Sequence, residues 1–470
     1  MHHRNRLLLS LLSVVLGLAT STALAALQIV PGGTWTASNG GHLNAHGAGI
    51  IQVNNTFYLI GEDKSQGSSF FAVNCYSSVD LVQWTYEGAL LSRTSSGDLG
   101  PNRIIERPKV IYNDLTKKYV MWMHVDSSNY GDAKVGVATS DTVCGKSYEY
   151  HGSFRPLGME SRDIGLFKDD DGRAYLLTED RKNGLRINPL TPDYLSISGT
   201  TSTHLFPTAI ESPALLKLSS GRYFLFGSHL TGWSPNDNVY TTSTNLSGPW
   251  SDWRLFADKG SNTYASQTSF ILNYGGPGNI MYMGDRWHST NLQSSSYIWL
   301  PLDINDTTVV LKNRASWIPN AQSGLPWADS PAEKSYEGEQ GTYSGGAREV
   351  TCSQCSRGKA AGYIGGTTTN GSVTISGVTS NSDNGGKGGV TTIQIRYKNG
   401  DTNPRYASVR VNGGAPQKVA FEGTAGDVGV SSVVVKGGLR KGDGNTIVVS
   451  GWEGGAGWGP DVDRIVVPVE

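Results

Sequence analysis

Five stretches of the chain repeat one hydrophobic pattern. They are "NTFYLIGED" (55–63), "KKYVMWMHVD" (117–126), "GRAYLLTED" (172–180), "GRYFLFGSH" (221–229) and "GNIMYMGDRW" (278–287). Each runs from a turn into an aromatic–aliphatic strand and ends on polar residues, the signature of a buried strand bounded by turns. Further strand-like elements follow two of them, "CYSSVDLVQW" (75–84) and "YTTSTNLSGPW" (240–250). The units recur every 45 to 65 residues or so, roughly the size of a propeller blade of several short strands. Five units predict a five-bladed β-propeller. Innermost strands converge on the axis, so the polar strand ends should ring one mouth: Glu62 and Asp63, Asp126, Glu179 and Asp180, His229, Asp285 and Arg286. Three acids precede a strand at an equivalent place: Glu106 in "IIERPKV", Asp163 in "SRDIGLF" and Glu211 in "IESPAL". By contrast Asp169, Asp170 and Asp171 in "KDDDGRAY" read as a hairpin turn.

The pattern changes near residue 330. "PNAQSGLPWADSPAEKS" (319–335) is rich in Pro, Ser and Ala and reads as a seam. Beyond it Gly and Thr/Val alternate, with almost no helical period, which predicts a β-sandwich. The reading is therefore all-β: a leader over 1–26, a propeller over 27–328 and a sandwich over 329–470. Arg4 and Arg6, the apolar run 7–18 and Ala23-Leu24-Ala25 form a secretory signal pattern, too short for a membrane anchor. No later segment is long enough either, so an exported protein without a membrane partner is expected. The 60 Gly, 21 Tyr and 12 Trp suit a secreted all-β chain. A net charge of -1 leaves no basic excess for nucleic acid. Four cysteines allow three pairings. Cys352 and Cys355 are close enough to pair locally, which leaves Cys75 with Cys144. Asn54, Asn245, Asn305 and Asn370 begin glycosylation sequons.

In order along roughly residues 28–325, "GEDKS", "ERPKV", "HVDSSNYG", "SRDIGLFKDDDG", "IESPAL" and "MGDRW" resemble glycoside hydrolase family 43, five-bladed enzymes that cleave glycosidic bonds with inversion. The combination is most similar to that family's fungal-type exo-β-1,3-galactanases. The tail, with "YEGEQG" and "DVDRIVV", is similar to carbohydrate-binding modules of family 35, β-sandwiches that carry calcium.

Glycoside hydrolysis needs a proton donor whose pKa is raised toward neutral. Glu211 stands beside Pro213 and apolar residues, where desolvation favours the protonated form. The resemblance makes Glu211 the general acid and Asp163 the carboxylate that tunes it. Most relatives carry an Asp early in the first blade as base; here "NAHGAGI" (44–50) has no acid. In the galactanase group a Gln matching Gln267 in "ASQTSF" holds the water instead, with Glu106 as the rival. The implied galactose contacts are Glu62, Glu106, Arg107, Tyr130, Asp180, Asn183, Gly232 and Gln267. In the tail, Glu337 and Glu339, two apart on one side of a strand, and Asp463 are the implied calcium ligands. Tyr363, Asn399, Asp401, Trp458 and Asp461 are the implied sugar contacts of the module, with Asp461 standing where many relatives have Asn. No cofactor is implied for catalysis. The function implied is a secreted, monomeric exo-β-1,3-galactanase that degrades the galactan backbone of arabinogalactan proteins. An α-L-arabinofuranosidase or β-xylosidase is disfavoured by the missing first-blade Asp. A non-catalytic glycan-binding protein is disfavoured by the presence of both Glu211 and Asp163.

Overall fold

The structure is a computed structural model that describes residues 27–275, 278–366, 370–381, 389–436, 438–452 and 457–469. The expected leader, 1–26, lies outside the described residues. Five four-stranded antiparallel sheets follow one another in chain order. Their first strands are His46–Val53, Arg103–Asn113, Ile164–Lys168, Ile210–Lys217 and Gln267–Asn273. These pack on one another in a closed ring, the fifth against the first, so they are the inner strands of a five-bladed propeller.

The repeated stretches are the second strands of the blades: Thr56–Glu62, Lys118–Ser127, Ala174–Asp180, Tyr223–His229 and Ile280–Arg286. They read as continuous apolar runs because both faces are buried between neighbouring blades. In the second blade Met121, Met123 and Val125 pack toward the first, while Val120 and Trp122 pack toward the third. Each such side chain contributes about 1.5–3 kcal/mol on burial. This corrects the expected ring of polar strand ends. One strand removed from the axis, only Glu62 of that set lines the central pocket. Asp126, Glu179 and Asp285 are buried behind it, and His229 is exposed. The Cys75–Cys144 disulfide joins the first blade to the loop after the third strand of the second.

The C-terminal domain is a two-sheet sandwich, and its core lies between the sheets. Cys352 and Cys355 pair within it. One boundary moves. Thr34–Trp35, expected in the propeller, pairs in parallel with Ser431 and Ser432 and extends a sandwich sheet. The reason is that Trp35 serves both sides. Its backbone joins the sandwich, and its ring stacks on Tyr297 at 5.1 Å and meets Trp299 edge-on at 4.9 Å in the fifth blade. Among the described residues no helix is long and apolar enough to cross a membrane.

Candidate active site

The blades place five residues at one equivalent point, the start of each inner strand. Four of them face the second strand in register: His46 opposite Glu62, Glu106 opposite His124, Glu211 opposite Ser228 and Gln267 opposite Asp285. In the third blade Asp163 takes the same place, its carbonyl accepting from the Glu179 amide at 3.0 Å. Fold symmetry thus brings one imidazole, three carboxyls and one amide to the axis. Immediately after three of these points, and one residue later in the fifth blade, the inner strand bulges. Gly47, Arg107 and Ser212 there take positive φ, 55°, 51° and 57°. A bulge turns the next side chain toward the mouth and ends regular pairing; positive φ in Arg and Ser is the strained kind that marks functional sites.

Arg107 uses the bulge to reach across the axis. Its Nε meets Asp163 at 2.8 Å. One terminal nitrogen donates to Gln267 Oε1 at 2.6 Å and the other to the Thr268 carbonyl at 3.1 Å. The Ser212 amide and hydroxyl add two bonds to the same Asp163 oxygen, at 3.0 and 2.9 Å. Glu211 is only 6% exposed. Burial, aided by the Asp163 carboxylate and opposed by Arg107, pushes its pKa up to about 9. Glu211 is therefore a protonated acid at neutral pH. Glu179, behind Asp163, is also raised, to about 7, by burial and by Asp163.

Gln267 does not stand across the pocket from the acid. Its Nε2 donates to Glu211 Oε1 at 2.8 Å and to Ser228 Oγ at 3.1 Å. Its Oε1 accepts from Arg107 and from Trp287 Nε1 at 2.9 Å. Both amide hydrogens and both oxygen lone pairs are engaged. The amide satisfies one oxygen of Glu211 and leaves the other for the proton to be delivered. In the first blade His46 occupies the place of the missing acid, fully buried against Asp285 at 3.0 Å.

A cation-bridged group forms the opposite wall. Lys64 Nζ contacts Glu62 at 2.5 Å and Glu106 at 3.3 Å. Tyr130 donates to Glu106 at 3.0 Å, and His124 lies 3.4 Å from it. Burial would raise Glu106, but Lys64, His124 and Tyr130 outweigh it and hold it well below the usual range. Despite burial, Asp126 and Glu106 keep His124 protonated, with a pKa of about 9. Among the described residues Glu106, His124 and Asp163 are the one group close enough to share a metal ion. A protonated imidazole, with Lys64 and Arg107 already neutralising the acids, does not suit a metal.

The pocket between these walls is lined by Glu62, Glu106, Arg107, Tyr130, Asp163, Glu211, Gly232 and Gln267, as the motifs implied. Asp180 and Asn183 are corrections. Asp180 accepts from Arg186 at 2.7 Å and from Asn183 Nδ2 at 2.8 Å, a turn network that faces away from the pocket. Arg181, Trp233 and Trp287 line the pocket unforeseen. Trp287 ends the fifth repeat and Trp233 follows Gly232, but neither position carries a periodic signal. A wider groove at the opposite end of blades two to four is built from turns, with Asp114 and Asp169 already paired to Lys168 and Lys217.

In the sandwich, Glu337 ends a strand, but Glu339 lies on the following short 3₁₀ turn rather than beside it on the strand. Glu337 Oε2 and Glu339 Oε2 are buried without partners. The Ser356 amide donates to Asp463 at 2.7 Å, and the Ser356 hydroxyl to Glu337 at 3.1 Å. Burial, with mutual repulsion, raises both Glu339 and Asp463. As they stand, the three acids are not close enough to one another to form a metal group. Tyr363 and Trp458 are exposed and meet edge-to-face at 5.6 Å. Arg405 joins them to Asp401, bonding that carboxylate at 2.8 Å and the Gly459 carbonyl at 3.1 Å. Asn399 is a correction: it is fully buried and spends its amide on the Asn403 and Phe421 carbonyls. Asp461 is half-buried and raised, chiefly by desolvation.

The family model for glycosyl hydrolases family 43 matches residues 44–267. An exo-β-1,3-galactanase from Phanerochaete chrysosporium, crystallised with β-1,3-galactotriose, is 38% identical, with 94% of this chain and 100% of that chain covered at a TM-score of 0.64. The chain belongs to glycosyl hydrolases family 43. An exo-β-1,3-galactanase of this family from Clostridium thermocellum is 26% identical over 93% of this chain and 99% of that one, with a TM-score of 0.60. A curated relative, "Probable arabinan endo-1,5-alpha-L-arabinosidase B" of Aspergillus fumigatus, is 25% identical over 34% of this chain. The chain spans 44% of that relative's length. The tail of the family 43 chain matches a different module from the one its motifs resemble: the alpha-galactosidase CBM13 domain, over residues 372–467.

Two substitutions test the acid. Glu211→Gln keeps the shape and loses the proton, so turnover of galactan should fall by about 10²–10⁴ or more while binding persists. A variant that retains a tenth of wild-type turnover removes Glu211 from the role. The acid works only while protonated, so activity falls as pH rises through its pKa. Asp163→Asn removes a charge that raises that pKa, and should move the alkaline limb of kcat/KM to lower pH. An unmoved limb in the pH–rate profile would separate the two groups.

Proposed function

We propose that this family 43 chain is a secreted, inverting exo-β-1,3-galactanase acting on the β-1,3-galactan of arabinogalactan glycans. One observation carries the reading. A buried, protonated Glu211 lies beside Asp163 in a pocket whose first-blade position holds His46 instead of a carboxylate. Glu211 donates its proton to the glycosidic oxygen as that bond breaks. Positive charge develops at the anomeric carbon, and a water on the other face adds there, its proton passing to solvent water as the new C–O bond forms. For Gln267 to anchor that water, as the motifs imply, its amide must leave Glu211 and Ser228, to which it donates at 2.8 and 3.1 Å. Glu62, Glu106, Arg107 and Tyr130 hold the hydroxyls of the terminal galactose, with carboxylates and guanidinium suited to vicinal pairs. Among the described residues the other axial carboxyls, Asp163 and Glu106, are already paired to Arg107 and Lys64, which disfavours a covalent intermediate.

The test is product analysis on β-1,3-galactan, with arylated arabinoside and xyloside as alternatives. Galactose should be released and the arylated substrates left intact. Proton NMR of the first-formed sugar should show the α anomer. An initial β anomer would mean a trapped glycosyl-enzyme and would end the assignment of Glu211 and Gln267. Release of arabinose would end the galactan reading.

The tail acts as a galactan-directed carbohydrate-binding module, with Tyr363 and Trp458 as its sugar-stacking face and Asp401 and Asp461 beside them. A structural calcium ion, implied by the motifs, would have to draw Glu337, Glu339 and Asp463 together and would offset the unpartnered Oε2 atoms of Glu337 and Glu339. A cation that binds only the folded state stabilises it. A chelator should therefore lower the unfolding temperature of the whole chain, and added calcium should restore it. An unchanged temperature in differential scanning calorimetry removes these three from any metal site.

A further inference from the structure

Trp287 is the first residue of a compact loop, 287–295, between the second and third strands of the fifth blade. Its indole donates to Gln267 Oε1, its ring meets Trp233 edge-on at 4.9 Å, and it lies 5.5 Å from His46. The loop is closed by its own bonds: His288 N to Ser295 Oγ at 3.1 Å, and Asn291 Nδ2 to Ser294 Oγ at 2.7 Å. Its far end rests on the sandwich. Asn291 Nδ2 donates to the Thr402 carbonyl at 2.7 Å, and Ser294 Oγ to Glu422 Oε2 at 3.4 Å.

Glu422 also reaches the propeller by a second route. Its other oxygen meets His42 Nδ1 at 2.9 Å, with both side chains almost wholly buried. The His42 ring lies 6.4 Å from His46, which stacks on Tyr297 at 4.7 Å and touches Trp287. Both routes from the sandwich end on the same indole.

That indole and Arg107 together decide which way the Gln267 amide faces. An amide can rotate to exchange its oxygen and nitrogen, and rotated it would turn an acceptor toward Glu211. Indole N–H is a donor with no acceptor capacity, so Trp287 accepts only the orientation that points Nε2 at the acid. Arg107 favours the same orientation but divides its donors among Asp163, Thr268 and Gln267.

We propose that the C-terminal sandwich is a positioning element of the catalytic site: Thr402 and Glu422 brace the loop that sets Trp287 against Gln267. Asn291, Ser294 and Glu422 are then positioning residues for a reaction none of them touches. The inference rests on the galactanase reading and deepens it. A module that serves only as a tether would matter for polymeric substrate alone; a brace matters for soluble fragments as well.

The test uses the whole chain and β-1,3-galactotriose, too short to need a tether. Asn291→Ala and Glu422→Ala should each lower kcat about tenfold, as small misplacements of catalytic groups do, with KM changed less than about twofold. Trp287→Phe, which keeps the ring and loses the donor, should give the same split. Combined with Trp287→Phe, the Asn291→Ala change should add nothing further, because both act through one contact. Wild-type kcat in Asn291→Ala, or losses that multiply in the double variant, would overturn the brace. Should Glu422→Ala be unfolded at the assay temperature by circular dichroism, the milder Asn291→Ala and its double variant decide alone. A wild-type chain that releases no galactose from the trisaccharide refutes the functional reading and the brace together. An active wild type with unaffected variants refutes only the brace.

Discussion

One guanidinium holds the centre of the molecule. Arg107 is 4% exposed and touches Asp163, Gln267 and the Thr268 carbonyl from three sides. Without it, Asp163, Glu179 and Glu211 would crowd buried negative charge around one axis, at a cost of several kcal/mol per uncompensated ion. With it, Asp163 is pinned in an ion pair while its buried neighbour Glu211 stays protonated. Division of labour between two carboxyls is the requirement of glycosidic acid catalysis. Here it follows from burial of Glu211 beside an Asp163 that Arg107 holds in an ion pair.

That placement depends on breaking the sheet. A regular inner strand would turn successive side chains to alternate blade faces, where the apolar cores lie. The bulges after His46, Glu106 and Glu211 interrupt the alternation at the same level in three blades, and one after Thr268 does so a residue later in the fifth. They turn polar groups into the mouth without opening the cores beneath. Tight packing sets the level. Gly165 lies so close to the Pro213 carbonyl that a Cβ there would stand 2.3 Å from it. Lys109, buried on the same axis, donates to the Gly47 carbonyl at 2.6 Å, where the first bulge has turned that backbone inward. Local strain and tight inter-blade contact are thus parts of one device.

The two domains share more than a linker. Trp35 is held by the aromatic cluster of the fifth blade while its backbone extends a sandwich sheet. Glu422 crosses the other way and is buried against His42. Buried crossings of both apolar and ionic kinds make a fixed joint rather than a hinge, since opening it would expose an indole and strand an unpaired carboxylate. A joint of that kind can carry positional information to the catalytic pocket.

Much of this was legible along the chain. Five apolar runs bounded by turns specified five blades, because strands buried on both faces have no freedom to be polar. The motifs around Glu106, Asp163 and Glu211 marked the acids, because a carboxyl beside an apolar strand is conspicuous. The seam near residue 330 and the local pairing of Cys352 with Cys355 were equally readable. What was not readable lies between segments distant in the sequence. That Trp287 holds Gln267, that Gln267 bonds to Glu211 and that Thr34–Trp35 joins the other domain all depend on which strand neighbours which around the ring. Sequence pattern determines which residues must be buried and in what local form, since burial and periodicity are properties of a segment. Which buried groups meet is set by closure of the ring and by bulges of one residue, and neither leaves a periodic trace; the tertiary structure alone decided it.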